Sequence, residues 1–222
     1  MPVMLIWDMC SKTDRNRPAY VTVLILSRLN WTNLTRIRMN KSVVSVQDII
    51  DFWFEETNQK FWWKKDADFD QLIADRYEVA HHMAIQGKLA SWRETPLGRL
   101  AEIIVLDQFS RNLYRDSPLA FAYDEQALAL AQEAIQAKAD QELETQQKAF
   151  LYLPFMHSES IEAHESVLAL FKAAGLESNY EFELKHKAII DRFGRYPHRN
   201  DILGRQSSKE ESEFLQEPES SF

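Results

Sequence analysis

Four arginines, one histidine and one asparagine fall within the fourteen residues RFGRYPHRNDILGR, from Arg192 to Arg205. Gly194, Pro197 and Gly204 break the stretch, so it reads as a loop rather than a helix. A guanidinium presents a planar fork of N–H donors that matches a carboxylate or phosphate. In a chain of net charge −8 this segment is a local cationic island, and the question it raises is which anion it holds.

Other chemistry-bearing residues interrupt apolar helical stripes. In PLGRLAEIIVLDQFSRNLYR, Leu97, Leu100, Ile104 and Asp107 align, with Arg111 one turn beyond Asp107. In ESIEAHESVLALF, His164 lies in a stripe with Ile161, Leu168 and Phe171. Phe182, His186, Ile189, Ile190 and Phe193 follow the same spacing, which turns His186 inward. A buried aspartate or histidine needs partners, and the arginine-rich segment is the natural supplier. Taken singly, each histidine is a core residue bonded to a carbonyl, and Asp107 pairs with Arg111 at i, i+4. Three such intrusions in three helices favour convergence on one site.

These residues need helices to position them. Ser45 with Asp48 forms an acidic capping box ahead of Ile49, Ile50, Trp53 and Phe54. A helix is expected over Asp68–Gln86, closed by Gly87. Thr95-Pro96 and Ser117-Pro118 each place a cap before a proline at the first helical position. Further helices are expected over Thr145–Phe155, Glu159–Ala174 and Asn179–Phe193, with a short last one from Ser207 or Ser208. The fold class read from this is all-α, a single domain of about seven helices packed as antiparallel pairs.

Composition narrows the function classes. At 222 residues and 45% hydrophobic content, with a mean hydropathy of −0.41, the chain can bury a full core. Its single cysteine, Cys10, excludes a disulfide framework and a cysteine zinc site, which suits the cytoplasm. The apolar run Tyr20–Leu26 is too short to span a membrane and lacks a cleavage site after it. Up to Val43, seven Lys or Arg stand against Asp8 and Asp14, so a balance of +5 precedes a body of −13. An acidic body repels nucleic acid, and no nucleic-acid partner is expected. His157, Glu159, His164 and Glu165 lack the i, i+4 histidine spacing of a helical metal site, and no metal is expected. Ser110 and Ser158 have no nucleophile-elbow glycines, and no dinucleotide or phosphate loop is present, so no cofactor is expected either.

The motifs DFWF, WWKKDADFD, GRLAEIIVLDQFSRNLYR, FLYLPFMHSES and RFGRYPHRNDILGRQSSKEESEFL, in that order, resemble the mainly bacterial family called domain of unknown function 924. The resemblance covers about residues 46–222 and implies an α-helical, tetratricopeptide-like fold without naming an activity. Its motif positions fall here on Asp107, Gln108, Arg111, Asn112, His157, Glu159, Arg192, Arg195, His198, Arg199, Asn200 and Arg205. Ser110 stands where the family pattern usually has proline, and His164 where it usually has glutamine. The second exchange argues against an indispensable catalytic role for His164.

Two function classes follow. The first is a pocket for a small anionic molecule, with an enzyme active site as its catalytic form. Asp107, His157 and His186 are its candidate catalytic residues. Gln108, Arg111, Asn112, Glu159, Arg192, Arg195, His198, Arg199, Asn200 and Arg205 are its candidate ligand-binding residues. The second is a peptide-binding helical module in which Trp53, Trp62, Trp63 and Trp92 line a groove and the Arg/His/Asp cluster is purely structural. A pocket would gather Asp107, His157, His186 and Arg199 around one concavity, whereas a groove would expose the tryptophans. Residues 1–44 are expected as an N-terminal extension, untranslated or disordered, ahead of a helical domain over 45–222.

Overall fold

Ser45 caps the first described helix as its spacing predicts: its Oγ accepts from Asp48 N, and the Asp48 carboxylate accepts from Ser45 N at 2.8 Å. The computed structural model describes residues 44–56, 59–218 and 220, which belong to the compact unit Val43–Phe222. The expectation about an N-terminal extension therefore concerns residues that lie, all but the last, outside the described ones.

Among the described residues the architecture is all helical. The helices are α1 (Val46–Ile50), α2 (Ala67–Ile85), α3 (Pro96–Ile104), α4 (Ser110–Leu113), α5 (Asp124–Gln136), α6 (Thr145–His157), α7 (Ile161–Ala173), α8 (Glu177–Phe193) and α9 (Lys209–Phe214). A π-helical turn, Val105–Phe109, fuses α3 and α4 into one rod. Another, Asp51–Glu56, prolongs α1. Helices joined by short links pack as pairs: α5 on α6, α6 on α7, and α7 on α8. The α3 helix runs through the middle and touches α1, α5 and α6.

That position explains why the amphipathic stripe expected in this rod is not what forms. Every residue from Leu100 to Ser110 is buried, so the rod is covered all round. Thr95 caps it as predicted, accepting from Gly98 N at 3.1 Å, with Pro96 in the first turn. Ser117-Pro118 does less than expected. It caps only the 3-10 turn Pro118–Ala120, and α5 starts later, at Asp124. The main core gathers Trp53, Tyr77, Phe109, Phe150 and Phe171 with the aliphatics of α3 and α6. A satellite core of Ile189, Ile190 and Tyr196, flanked by Phe193 and Phe214, ties the C-terminal loop and α9 to the end of α8.

Both stripes keep their predicted register from His164 and His186 onward and depart from it at their first residues. Phe182 is 49% exposed, because α8 turns Glu183 inward instead, and Ile161 is 39% exposed while His164 is sealed. The reason is an ionic one: His164 Nδ1 meets Glu183 Oε1 at 2.6 Å between α7 and α8.

Candidate functional site

Asp107 lies in the π turn of the central rod and is wholly buried. Its Oδ1 accepts from His157 Nδ1 at 2.8 Å and faces Arg111 Nη1 at 3.2 Å, and its Oδ2 accepts from Gln108 Nε2 at 2.5 Å. Burial alone would raise this carboxyl. The Arg111 charge and the His157 contact overcome that and hold it well below the usual carboxylate range. His157 is pushed down by burial and by Arg111, so it is neutral at pH 7. With Nδ1–H donated to Asp107, its Nε2 is left as a lone-pair base.

Arg111 also reaches Asp124 Oδ2 at 3.0 Å, and Arg199 reaches the same oxygen at 3.3 Å. Arg199 is buried between aromatic faces, its guanidinium 4.6 Å from the Phe121 centroid and 4.5 Å from that of Tyr196. Its Nη2 donates to the His157 carbonyl at 3.0 Å, and Tyr196 Oη donates to the Met156 carbonyl at 2.6 Å. The loop thereby caps the C-terminus of α6, where a cation complements the helix dipole.

The rest of the cationic island is answered by the protein's own carboxylates. Arg205 forms a fork on Glu159 at 2.7 and 2.9 Å, and its Nε donates to Asn200 Oδ1 at 2.9 Å. Asn200 in turn donates to Ser207. Arg195 forks onto Glu211 at 2.6 and 2.8 Å, and Arg192 meets Glu210 at 2.9 Å. The arginine loop is therefore first a clasp that closes α9 and the α6–α7 link onto the bundle.

A concavity of about 400 Å³ opens beside this clasp, with Phe121, Asp124, His157, Glu159 and Arg199 in its wall. Asp107 stands behind His157, and Arg111 and Arg205 stand behind Asp124 and Glu159. His186 does not join them: its Nδ1 donates to the Phe182 carbonyl at 2.8 Å within α8, and its ring lies 5.8 Å from Tyr196. Burial pushes it down to about 3. Asn112 is also elsewhere, bonded to Asp70 at 2.8 Å beside Arg115. His198 lies under the clasp, 5.4 Å from Tyr196, with a buried Nδ1 that has no protein partner. Of the tryptophans, Trp53 is buried and Trp62 and Trp92 pack against the core, while Trp63 is 66% exposed and stacks on Phe150. They do not form a groove.

Sequence reasoning missed Asp124, the oxygen that joins Arg111 to Arg199. An aspartate in the first turn of a helix carries no signal beyond complementing the dipole. It also missed Glu183 as the partner of His164, whose Nε2 faces the Ser158 carbonyl at 2.9 Å. With acceptors at both ring nitrogens, this buried pair must hold a proton between Nδ1 and Oε1. Ser110 is a third case, taking His81 Nε2–H at 2.8 Å and donating to the Leu106 carbonyl at 2.5 Å. Among the described residues no group of three or more His, Cys, Asp or Glu is placed to hold a metal ion, and no helix is long and apolar enough to cross a membrane.

Residues 49–219, which include every member of this cluster, match the sequence family described as bacterial protein of unknown function, DUF924. The chain belongs to this family. A solved structure is similar in architecture: a protein of unknown function from Agrobacterium tumefaciens is 37% identical, with a TM-score of 0.74, covering 77% of this chain and 96% of that one. No curated protein matches the chain. The family is one of unknown function, and the similarity to a solved structure concerns the fold of this DUF924 protein.

Proposed function

We propose that the concavity between α5, the α6–α7 link and the arginine loop binds a small molecule bearing a carboxylate or phosphate, with His157 as the base that acts on it. The observation that carries this reading is the Asp107–His157 pair at 2.8 Å, set in the wall of a concavity that Arg199 also lines. A carboxylate that fixes an imidazole's tautomer and leaves its other nitrogen basic is the arrangement used for proton transfer. Arg199 supplies the anion's counter-charge: its Nε is buried without a protein partner, and its bond to Asp124 is the longest of the loop's ion pairs. The first turns of α5 and α7 lie at the same wall, and helix N-termini favour anions.

The test is a set of melting curves with excess inorganic phosphate and small carboxylates. A ligand present at 100 times its Kd stabilises the native state by about 2.7 kcal/mol. The expected result is a rise in Tm for the parent that is lost in Arg199→Lys, which keeps the charge but not the fork, and weakened by salt. No shift in the parent with any carboxylate- or phosphate-bearing compound would return the cluster to a purely structural role.

A further inference from the structure

Charge balance in the same concavity constrains the ligand further. Behind and within the wall, the carboxylates of Asp107, Asp124 and Glu159 are matched by the guanidinium groups of Arg111, Arg199 and Arg205. His157 adds nothing, since it is neutral at pH 7. Glu125 also lines the concavity, it is exposed, and among the described residues it makes no hydrogen bond or ion pair. The site therefore carries one unbalanced negative charge. A plain anion bound there adds like charge to like, which costs affinity in a partly buried site.

The hydrogen-bonding inventory points the same way. Arg199 Nε is a buried donor without a protein partner, and Asp124 Oδ1 is a buried acceptor without one. Both residues are more than nine-tenths buried, and both line the concavity. Unpaired buried polar atoms are rare in native proteins, and here one of each sign lies on one ion pair. A ligand that satisfies both offers an acceptor and a donor a short distance apart, and the charges of Arg199 and Asp124 favour an anion in the first place and a cation in the second.

We infer that the ligand is zwitterionic, an amino carboxylate of amino-acid type. Its carboxylate lies on Arg199, and its ammonium faces Asp124 and Glu125. This inference rests on the small-molecule reading of the concavity and adds the requirement for an amine.

Matched pairs of probes separate the two ideas. Glycine, L-alanine and L-glutamate are titrated against acetate, propionate and glutarate, with affinity read from Tm shifts and calorimetry. Each amino compound is expected to bind about two- to five-fold more tightly than its desamino partner, the size of a single solvent-exposed charge interaction. Glu125→Gln, an exposed substitution that leaves the core untouched, should erase most of that preference, and Glu125→Lys should invert it. Desamino acids that bind as well as or better than their amino partners overturn the zwitterion and leave the anion pocket standing. Binding by neither set overturns both readings.

Discussion

Asp107 joins three side chains by its two oxygens, which makes it the residue whose loss the cluster tolerates least. Replacing it by alanine leaves Arg111 with Asp124 as its remaining carboxylate partner and the carbonyl of residue 107 as a neutral acceptor, and removing one partner of a buried pair costs about 3–5 kcal/mol. Urea denaturation of Asp107→Ala, Arg111→Ala and the double variant should give less than additive losses, with a coupling of about 0.5–3 kcal/mol. The same cycle with Arg199→Ala should couple more weakly, because Asp107 reaches Arg199 only through Arg111 and Asp124 or through His157. Simple additivity in the first cycle would show that the Asp107–Arg111 contact contributes nothing to stability. At this scale the sequence was half legible. Asp107, His157, Glu159 and Arg199 stood out because polar groups in apolar stripes and clustered arginines are unusual. Asp124 and Glu125 did not, since acidic residues in a helix's first turn are ordinary, and only the fold brings them against Arg199.

Elements were legible where the signal is local. Ser45, Thr95 and Ser208 are caps because their hydroxyls sit three residues from an unpaired N–H, and nothing distant alters that. The π turn of the central rod was not legible, because one wide turn leaves no mark in an all-apolar run. Nor was the burial of Glu183 in place of Phe182 near the start of α8, which depends on Glu183 finding His164 on another helix. Gly98 belongs to this class as well. A β-carbon there would meet the Trp92 carbonyl oxygen at 1.9 Å and its carbon at 2.7 Å, backbone atoms of the preceding 3-10 turn. Gly98→Ala must therefore push α3 off that turn, at an expected cost of about 3 kcal/mol or more, the upper end for overpacking. Gly194→Ala, at φ +67 and in open space, should cost only about 1 kcal/mol from its left-handed backbone. Chemical denaturation of the two variants checks the order, and equal losses would mean the 3-10 turn yields freely.

Across the whole molecule, buried imidazoles set how stability responds to acid, with His157 in α6, pushed down by burial, among them. Burial pushes His81 in α2 down to about 4, His186 in α8 down to about 3, and His198 in the arginine loop down to about 4. Above the unfolded histidine value of about 6.5 neither state binds these protons, so they do not affect folding. Below it the unfolded chain takes up protons that the folded protein refuses, and stability falls until the pH reaches the folded values. Asp107 adds to the loss further down, because its depressed carboxyl stabilises the fold only while ionised, an effect that fades below the usual carboxylate range. Glu183 runs the other way: burial raises it, so the folded protein keeps a proton there that the unfolded chain has released. The histidines outnumber it, and each contributes a slope of about 1.4 kcal/mol per pH unit between 6.5 and its folded value. Melting curves from pH 8 to pH 4 should therefore be flat at first and then decline steadily from about 6.5. His186→Gln should start from a lower Tm, since the ring also packs on Tyr196, yet decline less steeply by the one-histidine share of about 1.4 kcal/mol per pH unit. A parent whose stability stays level down to pH 5 would mean that these imidazoles titrate as they do in the unfolded chain.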